Sequence, residues 1–387
     1  MLFKSIIFLF FEIIILGGID LKIKIFLIIL FTFVLQNISY SNGLNLSGQS
    51  YILVEENSGR VLIEKDSQIK MPIASTTKIM TALIALEKGK LEDKYKITEE
   101  SINVEGSSIY LKLGEQILFK DLVYGLMLRS GNDSAVAIAN YISGSEPEFV
   151  KLMNIKAKQI GANNTNFVNP HGLHDTNHYS TAYDLALITR KAFSVNDFDE
   201  ISKAKTYKGT RVENNYFVNK NKTLWDYEGG DGVKIGYTTS SGRCIVSSAS
   251  KNNMRLIAVS LRAGDWFNDN YKLLDYGFEN FKLYNIYDKS QLITQVSVTN
   301  GTKDKIPLVS ESGFSYPLQE SEKDKIKISL SVKENLIAPI FAGQILGDIE
   351  VYLEGKLIKK DNLVAKYDIE KKSFFKKYLD IFKSNSN

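Results

Sequence analysis

Ser75 and Lys78 lie three residues apart in Ala74-Ser75-Thr76-Thr77-Lys78-Ile79-Met80, a spacing that puts both side chains on one face if the segment is helical. A serine hydroxyl attacks a carbonyl only when a base takes its proton, and a lysine is that base only as the neutral amine. Burial and a neighbouring positive charge each lower an amine from its ordinary value of about 10.4, and Lys234 is the candidate for that charge. Ser130-Gly131-Asn132 adds a second hydroxyl and a carboxamide, and Lys234-Ile235-Gly236 a cation beside a bare backbone position. Groups of these types serve acyl transfer through a serine ester.

Helices and strands must position them. Pro72 precedes the run from Ser75 to Leu86, and Gly89 closes it, which predicts a mostly buried helix with the serine in its first turn. Leu122, Val123, Leu126 and Met127 share one face of a helical text from Phe119 to Asn140, and Ser130-Gly131-Asn132 falls at a break within it. A further helix over Ala182–Phe193 starts from a cap at Ser180 or Thr181. Ser50 to Glu55 and Arg60 to Glu64 read as alternating strands around the turn Asn57-Ser58-Gly59, and Val233 to Tyr237, Arg243 to Ala249 and Met254 to Leu261 as a meander. Strands at both ends of a helical middle predict an α+β domain whose sheet joins the first hairpin to the last three strands.

Ser75-x-x-Lys78 at a helix start, Ser130-x-Asn132 between helices and Lys234-x-Gly236 on a strand occur in the order of the penicillin-recognising serine enzymes. From Ser50 to about Arg262 the chain resembles the low-molecular-mass penicillin-binding proteins of the D-alanyl-D-alanine carboxypeptidase type. The stretches Arg129-Ser130-Gly131-Asn132-Asp133, Asn169-Pro170-His171-Gly172-Leu173, Tyr179-Ser180-Thr181-Ala182 with Asp184, and Asp231-Gly232-Val233-Lys234-Ile235-Gly236-Tyr237-Thr238 carry the likeness. The resemblance implies a transpeptidase-like domain in which Ser75 attacks the carbonyl between two D-alanines and Lys78 accepts its proton. It further implies that Ser130 relays a proton to the departing D-alanine, Asn132 holds the substrate amide and Lys234 attracts the terminal carboxylate. The same resemblance implies that the N–H groups of Ser75 and Tyr237 form the oxyanion hole, with Gly236 and Thr238 lining the substrate strand. The middle residue of the third motif is usually threonine, and Ile235 leaves the carboxylate to Lys234 and Thr238. The implied partners are wall stem peptides ending in D-Ala-D-Ala and β-lactams as covalent inhibitors.

Rival activities use the same residues. A class A β-lactamase needs a glutamate to activate the deacylating water, and Asn163 to Asp184 contains none. A D,D-endopeptidase differs only in the amide it admits, and a silent wall-binding scaffold would keep the fold without the chemistry. His171, His174 and His178 are all the histidines of the chain and fall in one loop, but no ligand pattern accompanies them, so no metal is expected and no cofactor is implied.

The net charge of +4 over 387 residues, with both signs interspersed, gives no reason for a nucleic-acid partner. The single cysteine, Cys244, excludes an internal disulfide and reads as a core thiol. After Phe281 short β-type runs at Leu292–Val298, Ile326–Val332 and Ile349–Leu353 predict a small all-β domain over 281–368, following a catalytic domain over 42–280. Within 1–41, Lys22, Lys24, the apolar run Ile25 to Leu35 and Ser39-Tyr40-Ser41 have the form of an export signal. Gly17-Gly18 followed by Leu21 reads as a translated ribosome-binding site and a TTG start codon at Leu21, which would leave residues 1–20 ahead of the true start, against the alternative of a hairpin or long signal anchor. Over 369–387, Phe374, Phe375, Tyr378, Leu379 and Phe382 form one stripe among lysines, the pattern of a helix lying on an anionic membrane surface. Together these segments predict an exported protein held peripherally at the outer face of the cytoplasmic membrane.

Overall fold

The computed structural model describes residues 44–373. The export signal and the stripe from Phe374 onward lie outside the described residues. Chain order begins with β1 (Ser50–Glu55) and β2 (Val61–Lys65), then a tight turn over Ala74–Thr77 leading into α1 (Lys78–Lys88). A short pair, β3 (Lys94–Lys96) and β4 (Gln116–Leu118), precedes α2 (Phe119–Tyr124), and α3 (Asn132–Ser143) and α4 (Glu146–Ile160) follow. Then come α5 (Ala182–Phe193), α6 (Phe198–Lys203), the pair β5 (Thr206–Lys208) and β6 (Tyr216–Val218), and α7 (Thr223–Asp226). The long strands β7 (Gly230–Thr238), β8 (Gly242–Lys251) and β9 (Met254–Leu261) end at α8 (Trp266–Asn280).

One antiparallel sheet runs β2-β1-β9-β8-β7, joining the first hairpin to the meander and leaving β7 at an edge. Alternate residues serve two layers. Ile52, Val54, Ile257 and Val259 enter the core shared with α1, α3 and α5, whereas Leu53 and Leu256 touch Gly277 of α8 on the other face. Helices on both faces explain a departure from the sequence expectation: β1 does not alternate but is buried at all six positions. Helices α4 and α8 were not read from the sequence. Yet α4 carries plain signals, since Ser145 accepts from the Glu148 amide at the N-cap and Pro147 stands in its first turn. Thr181, not Ser180, caps α5 by accepting from the Asp184 N–H at 3.0 Å. Cys244 is fully buried, and burial pushes its thiol up to about 11.

The rest of the described chain is all β: β10 (Lys282–Tyr287), β11 (Leu292–Thr299), β12 (Lys305–Ser310), β13 (Phe314–Leu318), β14 (Ile326–Val332), β15 (Leu336–Ile337), β16 (Ile345–Leu353) and β17 (Lys356–Ala365). Six of these form a sheet in the order β14-β16-β17-β12-β11-β15, and β10 pairs with β13. Ile306, Leu308, Ile349, Val351 and Leu363 fill the space between them. Backbone pairing continues past β17, where Ile369 bridges Ile340 and Lys371 bridges Gly301. Arg60, just before β2, ties this body to the first: its guanidinium bonds Pro317 O and Glu322 and lies 5.1 Å and 5.2 Å from the rings of Phe281 and Tyr316.

Candidate active site

The turn over Ala74–Thr77 is held between two glycines. Ala74 adopts a left-handed φ of 47°. A side chain at Gly172 would meet the Ala74 carbonyl oxygen at 2.0 Å, and one at Gly236 would meet the Ser75 amide nitrogen at 2.7 Å. Only hydrogen fits at either place, so the loop 169–173 and the edge strand β7 fix the turn by direct backbone contact. Helix α1 starts at Lys78, one turn on, and Lys78 Nζ lies 3.0 Å from Ser75 Oγ.

Lys78 is fully buried, and Nζ donates to Asn132 Oδ1 and to the His171 carbonyl oxygen, both at 2.6 Å. Those two partners can only accept. A neutral amine has two N–H bonds and one lone pair, so with both N–H bonds committed the lone pair is left for the Ser75 hydroxyl. Burial, and next the charge of Lys234, hold this amine well below the ordinary lysine range. The arrangement is that of a serine with a base ready to take its proton.

Ser130 ends the helical text of α2 and the wide turn Gly125–Arg129 in a left-handed conformation, φ 63°. That reversal starts α3 two residues later and brings Ser130 Oγ to Lys234 Nζ, which donates to it at 3.0 Å and to Ile235 O at 3.0 Å. Lys234 is buried on β7, and burial, then the charge of Lys220, lower it to about 7. Among the described residues Ser130 Oγ bonds Lys234 and not Lys78, so a chain of contacts runs Ser75, Lys78, Asn132 on one side and Ser130, Lys234 on the other.

Residues 37–265 match the family model described as D-alanyl-D-alanine carboxypeptidase, and residues 281–371 that of the penicillin-binding protein 5 C-terminal domain. The chain belongs to the D-alanyl-D-alanine carboxypeptidase family. It is 37% identical over 340 residues to D-alanyl-D-alanine carboxypeptidase DacF of Bacillus subtilis, covering 84% of this chain and 87% of that one. With DacA of Haemophilus influenzae it shares 33% identity over 87% of its own length and 88% of the relative's. The crystal structure of penicillin-binding protein 5 from Haemophilus influenzae superposes with a TM-score of 0.73 at 32% identity, over 84% of this chain and 98% of that one.

Asn132 is engaged at both ends of its carboxamide, since Nδ2 donates to Glu105 O while Oδ1 accepts from Lys78. Gly236 contacts the serine turn, and the Tyr237 side chain points outward, 62% exposed. Thr238 Oγ1 shares a hydrogen bond of 2.8 Å with Ser241 Oγ and closes the β7–β8 turn. Ile235 is half-buried opposite Ile245.

The histidines are structural neighbours of the turn. His178 Nδ1 accepts from the Val168 N–H, so Nε2–H donates to Thr77 Oγ1 at 2.8 Å, and burial lowers the ring to about 4. His171 accepts at Nδ1 from Leu173 N–H and is lowered to about 3, first by burial and then by Lys78.

Sequence reasoning missed the contributions of four residues. Asp133 carboxylate accepts from the N–H groups of Ile109 and Leu111 and from Ser108 Oγ, fixing the loop before β4 against α3. Glu105 and His171 act through their carbonyl oxygens, which no side-chain pattern reveals. Lys220, far from any motif, adds positive potential at both buried lysines.

Proposed function

We propose that this protein hydrolyses the bond between the two terminal D-alanines of peptidoglycan stem peptides through an acyl-enzyme on Ser75. The observation that carries the reading is the commitment of both Lys78 N–H bonds to acceptor-only partners, with its third site on Ser75. The Ser75 proton passes to Lys78 as Oγ bonds the carbonyl carbon, and the N–H groups of Ser75 and Tyr237 receive the developing oxyanion. Ser130, charged with a proton through its contact to Lys234, hands it to the departing amine of D-alanine. Lys78 then gives up the proton it took from Ser75, which replaces the one Lys234 spent, and the neutral amine accepts a proton from the water that adds to the ester; that proton returns to Ser75 Oγ as the shortened peptide leaves.

Lys234 serves the terminal carboxylate electrostatically, assisted by Thr238, while Ile235 contributes no hydrogen bond. Asn132 orients Lys78 and, through Nδ2, the substrate amide. β-Lactams acylate the same serine because their strained amide presents the same carbonyl and carboxylate. The protein acts outside the cell, exported by the segment within 1–41 and held on the outer face of the cytoplasmic membrane by the basic, aromatic stripe after Phe374.

The purified protein is incubated with diacetyl-Lys-D-Ala-D-Ala and free D-alanine is quantified, beside Ser75→Ala. Release that requires Ser75 is expected. Penicillin labelling of Ser75 without D-alanine release moves the reading to an endopeptidase, and loss of both to a silent scaffold.

A further inference from the structure

From Asn335 to Gly347 the chain carries no charged residue, and Leu336 to Ala342 is apolar throughout. Exposure alternates along this run. Leu336, Ala338 and Ile340 enter the core of the β domain, whereas Ile337, Pro339 and Phe341 face outward, Ile337 60% and Phe341 64% exposed. Ile337 lies in β15, the edge strand of the six-stranded sheet, paired with β11 on its inner side. Phe341 opens a tight turn in which its N–H donates to Gln344 Oε1 and the Gln344 N–H donates to Phe341 O. A single apolar side chain in water is ordinary, but three in succession along one charge-free edge mark a contact surface.

The place of this ridge in the domain identifies its partner. Ile340 and Ile369 exchange both backbone bonds, the Ala342 N–H donates to Asp368 Oδ1, and the Lys372 N–H donates to Asn300 O just after β11. The described chain thus ends beside the ridge, and residues 374–387, with the aromatic and lysine stripe from Phe374 to Phe382, continue from that end of the domain. The catalytic domain is at the other end. β16 starts at Ile345, directly after the Phe341–Gln344 turn, and runs nine residues to Leu353, a span of about 25 Å. Leu353 packs with Tyr316 and lines a groove together with Arg60. Two apolar elements at one end of a domain, both pointing away from the active site, face one surface. We infer that Ile337, Pro339 and Phe341 form a second membrane contact, entering the bilayer interface beside the tail and fixing the angle at which the β domain stands. The inference rests on the membrane reading of the tail given above.

Phe341→Trp in the full chain reports the contact directly. On vesicles of phosphatidylglycerol and phosphatidylcholine its emission is expected to shift to the blue and to be quenched by lipids brominated on their acyl chains, against the background of Trp225 and Trp266 in the wild type. Ile337→Ser with Phe341→Ser is expected to raise the lipid concentration at half-binding about 100-fold, tenfold per side chain, with Tm unchanged because both residues are exposed. Ile337→Leu with Phe341→Leu retains most of the binding, and Val212→Ser, at an apolar residue 97% exposed on the catalytic domain, leaves it unaltered. Serines without effect on binding, or an emission of Phe341→Trp that ignores the lipid, overturns the contact. Serines that abolish self-association in sedimentation while vesicle binding persists overturn it as well and assign the ridge to a second copy of the chain. Phe375→Ser with Phe382→Ser tests the tail separately. Undiminished binding by that variant with quenching of Phe341→Trp overturns the tail and spares the ridge, and lost binding with no quenching in protein whose tail is intact does the reverse.

Discussion

Gly236→Ala puts the tightest contact of the site to a quantitative test. A methyl carbon there would lie 2.7 Å from the Ser75 nitrogen, 3.0 Å from the Thr76 nitrogen and 3.1 Å from the Ala74 Cβ. Comfortable separation for such atoms is about 3.5 Å, so β7 or the serine turn must retreat by about 0.8 Å. Two of the three neighbours are backbone, and no rotamer change relieves them. Overpacking of this kind costs about 1–3 kcal/mol, and moving a nucleophile by a distance approaching 1 Å slows its reaction about 100-fold. The assay is single-turnover labelling of Ser75 by a fluorescent penicillin, with Tm measured alongside. Gly48→Ala is the control, because its added carbon meets nothing nearer than 3.6 Å. Labelling of Gly236→Ala is expected to fall about 100-fold with a drop in Tm, and Gly48→Ala to match the wild type. Wild-type labelling by Gly236→Ala would refute the claim that β7 and the turn hold each other by contact.

The pH profile has two limbs. Lys78 works as the neutral amine, so acylation falls as pH drops through its lowered pKa, while Lys234, lowered to about 7, loses its charge above that value and kcat/KM for a carboxylate-ended peptide declines about tenfold per pH unit. A profile that stays flat on the alkaline side contradicts the role of Lys234. His178 is neutral in the fold down to about 4, against 6.5 when unfolded, so the unfolded chain binds the extra proton between these values and stability is lost as pH falls through that window, by about 3 kcal/mol. His178→Gln keeps a donor for Thr77 and should flatten urea-unfolding stability over that window by the same amount; an undiminished slope counts against it. Ile235→Thr restores a hydroxyl at the position where the family usually has one and is expected to raise kcat/KM about tenfold, and no change would mean that Ile235 leaves nothing wanting.

Much of this architecture is written locally. Pro72 and Gly89 bound the buried helix, Asn57-Ser58-Gly59 turns the first hairpin, and the three strands after Gly232 are spaced for a meander. The three-residue step from Ser75 to Lys78 suits hydroxyl and amine for one turn, here the tight turn over Ala74–Thr77 that leads into α1. The burial of β1 at every position was not legible, because alternation predicts one covered face and the second is covered by α8, more than 200 residues later. Helix α4 was legible in principle from Ser145 and Pro147 but carries no chemistry to draw notice.

The family, the order of its motifs and the identity of the candidate nucleophile and base follow from the sequence by itself, since they depend on residue type and short spacing. Tertiary structure alone decided the surroundings that lower the Lys78 amine from the ordinary lysine range. The lowering comes first from burial and then from Lys234, on the edge strand of the sheet, while the amine's hydrogen-bond partners, Asn132 and the His171 carbonyl, lie 54 and 93 residues away. Desolvation and charge proximity are properties of three-dimensional surroundings, and a linear sequence carries the groups without the distances between them.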